Sequence, residues 1–233
     1  MLKFSITLML GLSVFFNARS DLLRAARTRS AATTTIATEV RQSDSKQSSF
    51  AQGKQPQGVP LKIGDLRPTL SFKMLSGAKT QTWQALEGKV VVIDFWASWC
   101  TPCLSAFPRL NELDRQFKSK GVTFISVTYE PANYVRGFLK DHPIEAEVGI
   151  DDTLDTFKNF QAWGIPVIYV FDRSGRFVSM VHPNNFTEDL LLTCLRGEIP
   201  KVKQSKLWDD PVGAEKYFRK HQLELQEKYP PVH

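Results

Sequence analysis

Apolar residues fall into blocks of two distinct periods along this chain. Residues 90–96, Val-Val-Val-Ile-Asp-Phe-Trp, form a continuous β-branched and aromatic run, the pattern of a central strand buried on both faces. Leu104, Phe107, Leu110, Leu113 and Phe117 then recur at steps of three and four, one face of an amphipathic helix. The alternation continues with strands predicted over 122–127, 147–150, 166–171 and 176–181 and helices over 134–140, 153–160 and 186–195, the last ending at Gly197. The turn Asp172-Arg173-Ser174-Gly175 joins the last two strands, and a hairpin is expected from 69–74 and 79–83 around Ser76-Gly77. Such an order of strands and helices predicts an α/β fold.

The ends of the chain read differently. Residues 1–20 carry one early cation, Lys3, then an apolar run from Phe4 to Phe16 and the small-residue pattern Ala18-Arg19-Ser20, as in a secretory signal. The run is shorter than the roughly 20 residues that span a bilayer, so export outranks a permanent anchor. An uncleaved membrane tether and, given the Arg-rich stretch that follows, an organellar transit peptide are the alternatives. Residues 21–58 become Ser, Thr, Ala, Gln and Gly with few large apolar groups, a flexible linker by composition. Residues 59–198 make the folded body, and 199–233 a C-terminal extension. In that extension Asp210-Pro211 starts a helix, and Tyr217, Phe218, His221 and Leu225 share one face. A helix packed on the body is the simpler reading of that stripe, and a partner-docking helix the other.

The net charge of +6 invites a nucleic-acid reading, and its distribution argues against one. Residues 1–60 hold eight Lys and Arg against three Asp and Glu, which leaves 22 against 21 of the chain's 30 and 24 for the body. Three cysteines are too few for a disulfide-stapled scaffold. Cys194 lies within an apolar helical stretch and reads as core.

The other two cysteines form Trp99-Cys100-Thr101-Pro102-Cys103, at the join of the central strand and the first helix. A cysteine there faces the positive end of the helix dipole and unpaired amides, which favour thiolate over thiol, so Cys100 is the expected nucleophile. Cys103, one turn on, can resolve a mixed disulfide. A zinc half-site would need two further ligands at suitable spacing, and haem attachment would need a histidine where Leu104 stands. An inert structural bridge closing so short a loop would add little stability. Redox chemistry without a metal or bound cofactor, carried by a Cys100/Cys103 disulfide, is the reading this context favours.

The segment Val91 to Cys103 resembles the active-site strand and loop of thioredoxins, and residues 61 to about 198 are similar to the exported branch typified by TlpA, ResA and CcmG. Pro108 matches the proline inside the active-site helix, Gly164-Ile165-Pro166 the cis-proline loop, residues 129–152 the extra helix and strand of the TlpA-like branch, and residues 171–175 its hairpin turn. The resemblance implies a thioredoxin fold, a central mixed sheet flanked by helices with an N-terminal hairpin and a TlpA-type insertion. It implies thiol-disulfide exchange in which Trp99, Thr101, Pro102, Ile165 and Pro166 contact substrate, Ile165 through its backbone by strand addition. Asp94, six residues before Cys100, matches the buried acid that exchanges a proton with the second cysteine. In ResA-like proteins an acid lies three residues after that cysteine, and here Ala106 stands there. Exported protein thiols and disulfides, apocytochrome c among them, and an upstream thiol-disulfide electron donor are the implied partners, in the periplasm or outside the cell. Reduction is the implied direction, with an oxidase, an isomerase or a non-catalytic thioredoxin-fold binding module as alternatives.

Overall fold

The computed structural model describes residues 59–76, 81–206 and 209–230. The signal and linker expected over 1–58 lie outside them. The strands are β1 (Lys73–Met74), β2 (Val90–Phe95), β3 (Val122–Thr128), β4 (Glu147–Ile150), β5 (Val167–Phe171) and β6 (Phe177–Val181). The helices are α1 (Thr101–Phe117), α2 (Ala132–Phe138), α3 (Asp155–Phe160), α4 (Glu188–Leu195) and α5 (Pro211–Lys228). One six-stranded mixed sheet runs in the order β1-β4-β3-β2-β5-β6, with β2, β3 and β4 parallel and β1, β5 and β6 antiparallel to their neighbours.

All six residues of β2 are buried, as its unbroken apolar pattern requires of a strand covered on both sides. Strand alternation splits its side chains between two cores. Val91, Ile93 and Phe95 join Phe157 and Phe160 of α3, Tyr169 and Phe171 of β5, and Ala214 and Phe218 of α5. Val90 and Val92 join Leu110, Leu113 and Phe117 of α1 and Leu190, Leu191 and Cys194 of α4. The sheet is therefore a middle layer with α1 and α4 on one face and α3 and α5 on the other.

The predicted elements from 90 onward form within a few residues of their expected bounds. The β5–β6 turn is closed by Asp172, whose Oδ1 accepts from Ser174 N, Ser174 Oγ and Arg176 N, and Gly175 takes the left-handed conformation there at φ +74°. Asp210 caps α5 by accepting from Gly213 N at 2.9 Å, with Pro211 at the first helical position.

The N-terminal hairpin expected over 69–83, of which residues 77–80 lie outside the described residues, is the exception in the residues that are described. β1 pairs with β4 instead, Lys73 opposite Ile150 and Met74 opposite Gly149, while Gln81 and Thr82 are not in a strand and Trp83 leads into a short 3₁₀ turn. The cause is packing. Phe72 lies against Gly149 so closely that a Cβ there would come within 2.6 Å of its ring, so the missing side chain lets the segment lie along the β4 edge.

Candidate active site

Strand directions assemble the site at one edge of the sheet. β2 and β3 are parallel, so the residues that follow each, 96–100 and 129–130, leave the sheet side by side. β5 runs against β2 with Val167 opposite Phe95, which brings the preceding Ile165-Pro166 to the same edge. The Ile165–Pro166 peptide bond is cis.

Cys100 is the N-cap of α1 and is joined to Cys103 by a disulfide, with 5.3 Å between their Cα atoms. Cys103 N donates to Cys100 O at 2.9 Å and also to Cys100 Sγ at 3.3 Å, so a first-turn helix amide is shared with the sulfur the sequence marks as nucleophile. Both cysteines are buried, 3% and 2% exposed, in a cluster with Trp96, Phe107, Val135, Val148 and Ile150. Thr101 and Pro102 are exposed between them. α1 continues through Pro108, and Ala106 is half-buried.

Asp94 alternates with Val92 and Trp96 on the α1 side of β2. It is buried, and its Oδ2 has no hydrogen-bond partner among the described residues. Burial pushes its carboxyl up to about 7, opposed only by the neighbouring Ser126 hydroxyl.

Trp99 and Ile165 line a cleft of about 560 Å³, closed on its other sides by Trp163 and by Asp210, Gly213, Ala214, Tyr217 and Phe218 of the C-terminal segment. Ile165 also packs against the cluster that holds the two cysteines. Pro166 is buried and Trp99 is 41% exposed. The residues matched in sequence are thus gathered at one edge, with the proviso that Asp94 lies beneath that edge, inside the core.

Two residues beside this edge, Glu130 and Tyr129, were not singled out from sequence. Glu130 is fully buried and accepts from Ser98 N at 2.8 Å and Ser98 Oγ at 2.7 Å, bracing the loop before Trp99, and burial raises its pKa. An acid two residues past an apolar strand was the one trace it left in the sequence. Tyr129 Oη accepts from Trp99 Nε1 at 2.7 Å and lies 2.9 Å from His221 Nδ1. Neither partner could be paired with the other from a separation of 92 residues. Away from the site, Cys194 is core, 1% exposed with its thiol pushed up to about 12 by burial. Among the described residues no three His, Cys, Asp or Glu side chains converge as a metal site, and no helix is long and apolar enough to cross a membrane.

The Redoxin family model matches residues 62–187, just over half of the 233-residue chain. The chain belongs to that family. Among similar curated proteins is the thiol-disulfide oxidoreductase ResA of Bacillus thuringiensis subsp. konkukian, 27% identical over 140 residues that cover 60% of this chain and 80% of the relative. The thioredoxin-like protein YneN of Bacillus subtilis is 27% identical over 134 residues, 56% of this chain and 76% of its own. Among solved structures, a putative thiol:disulfide interchange protein DsbE from Chlorobium tepidum matches 58% of this chain and 99% of its own with 29% identity and a TM-score of 0.52. This Redoxin chain has a thioredoxin-like fold and is a thiol-disulfide oxidoreductase of the ResA and DsbE type, which selects the enzymatic reading from those open in the sequence. Helix α5 lies beyond the residues the Redoxin model matches.

Proposed function

We propose that this Redoxin chain is an exported reductase of protein disulfides. The observation that carries the reading is the Cys100–Cys103 disulfide capping α1 beside the cis Ile165–Pro166 loop and an open apolar cleft.

In the reduced enzyme the α1 N-terminus and the Cys103 amide stabilise the Cys100 thiolate. That thiolate attacks one sulfur of a substrate disulfide; a Cys100–substrate bond forms, and the other substrate sulfur leaves as thiolate. Cys103 then gives its proton to the Asp94 carboxylate, and its thiolate attacks the Cys100 sulfur. The Cys100–Cys103 bond forms, the mixed disulfide breaks, and the second substrate thiolate is released. The substrate gains two electrons and the enzyme loses them, so an upstream dithiol donor must reduce the pair again. An acid titrating at about 7 is suited to accept that proton near neutral pH.

Trp99, Thr101, Pro102 and Ile165 form the substrate-facing surface in this reading, with Pro166 buried behind them and an extended chain running past the Ile165 backbone. Exported thiol proteins, with apocytochrome c as one candidate, are the substrate class, and the leader of residues 1–20 with its linker supports a location outside the cytoplasm, free or tethered by the N-terminus. The opposite direction, disulfide formation on the same fold, uses the same atoms in reverse. Trapping tests the exchange: a Cys103→Ser variant of the full chain is expected to accumulate mixed disulfides through Cys100 that dithiothreitol releases, and Cys100→Ser none. Absence of trapped species in Cys103→Ser would overturn the reading.

A further inference from the structure

Trp99 immediately precedes the attacking cysteine, and its aromatic ring contacts are made with α5. Its ring neighbours are Tyr217 at 5.7 Å, Phe218 at 6.1 Å and His221 at 6.1 Å between centroids, all on α5. Its one polar group, Nε1, donates to Tyr129 Oη at 2.7 Å. An indole N–H can only donate, so the tyrosine oxygen accepts and its own proton is free for His221 Nδ1 at 2.9 Å. The chain Trp99–Tyr129–His221 is satisfied throughout when the imidazole is neutral with its proton on Nε2. Burial, which lowers the His221 pKa against the opposing pull of Glu224, favours that state.

The relay is anchored on both sides. Tyr129 is fully buried, wedged between Phe157 at 5.6 Å and Phe218 at 5.0 Å. Gln222, buried on α5 next to His221, donates its Nε2 to Tyr129 O at 2.8 Å and to Asp152 O at 3.1 Å, so the helix is held to the residue it hydrogen-bonds. The same helix supplies part of the lining of the cleft that Trp99 and Ile165 share.

We propose that His221 is a positioning residue for disulfide exchange: through Tyr129 it orients the Trp99 indole, and so sets the shape of the surface that a protein substrate meets beside Cys100. The inference rests on the reading that Trp99 faces substrate. It adds that specificity is set in part by α5, outside the residues the Redoxin model matches.

The test compares the full chain with His221→Leu, His221→Asn and Tyr129→Phe. Insulin serves as the model protein disulfide under a dithiothreitol supply, and the Trp99 indole N–H resonance is assigned by its loss in Trp99→Phe. Loss of one relay hydrogen bond is expected to raise KM for insulin about fivefold in His221→Leu while kcat changes far less. Tyr129→Phe, which keeps the ring and removes both bonds, should do the same and move the indole N–H resonance upfield. His221→Asn, whose amide oxygen can take the place of Nδ1, should restore KM toward that of the parent chain. A parent-like KM in both His221→Leu and Tyr129→Phe would overturn the inference, as would equal loss in His221→Leu and His221→Asn, which would mean that only ring volume matters. Failure of the parent chain itself to reduce insulin would count against the proposed function. The indole resonance would then still decide the relay, an unmoved signal in His221→Leu overturning it.

Discussion

Replacing Asp94 by asparagine offers a perturbation whose size follows from its surroundings. The side chain is buried in β2 with Oδ2 unpartnered among the described residues, and its carboxyl ionises at about 7 in the fold instead of at its ordinary 3.8. Between those values the folded chain holds a proton that the unfolded chain has released, so rising pH favours unfolding by about 1.4 kcal/mol per pH unit. The loss amounts to about 4 kcal/mol by pH 7, all of it absent at a pH below 3.8 and constant above the folded value. The asparagine amide cannot ionise and lacks that slope. Asp151, also raised to about 7, and Glu130 titrate in both proteins and cancel in the difference. Urea unfolding of the oxidised parent and Asp94→Asn chains from pH 4 to 8 measures it. The expected difference curve declines by one proton's slope and levels near 7, the variant gaining relative stability as pH rises. A flat difference would refute the claim that Asp94 is held protonated by burial. Resolution of the mixed disulfide by Cys103 should also slow in the variant at pH 7, by about a hundredfold if Asp94 acts as general base.

Further outcomes follow from the same packing. Phe218→Ala removes a ring that touches Trp99, Tyr129, Phe157 and Trp163, and should cost about 3–5 kcal/mol in urea unfolding; a cost below about 1 would show that α5 is not part of the core. Ser98→Ala takes one donor from buried Glu130 and should destabilise by about 1–3 kcal/mol at pH 8, where that carboxyl has most need of partners, with no measurable change counting against the brace. Asp210→Ala removes the α5 cap at an expected cost of about 1 kcal/mol, read in the same assay.

How much the sequence disclosed depended on whether a signal was local. The strand run at 90–96 and the apolar steps from Leu104 to Phe117 each reveal their element because burial on one or both faces leaves a periodic trace. The cysteine pair could be read at a helix start for the same reason, since strand and helix patterns abut there. The 69–83 hairpin misled because Ser76-Gly77 is a sound turn signal, whereas the partner strand was chosen by the space that Gly149 leaves for Phe72, 77 residues further along the chain. The role of α5 was only half visible. Its cap and apolar face could be read, and its attachment to Trp99 could not, because a hydrogen bond between Tyr129 and His221 leaves no periodic mark. Glu130 was missed for the opposite reason, an acid being ordinary after a strand until parallel pairing brings it beside Ser98.

The claim that this enzyme gives electrons to protein disulfides is tested most directly by the equilibrium reduction potential of the Cys100/Cys103 pair in the full chain, titrated against dithiothreitol and glutathione with tryptophan fluorescence as the signal. A reductase predicts a value near the roughly −270 mV of thioredoxin, and a value near the roughly −120 mV of a strong oxidant would contradict it and assign the chain to disulfide formation.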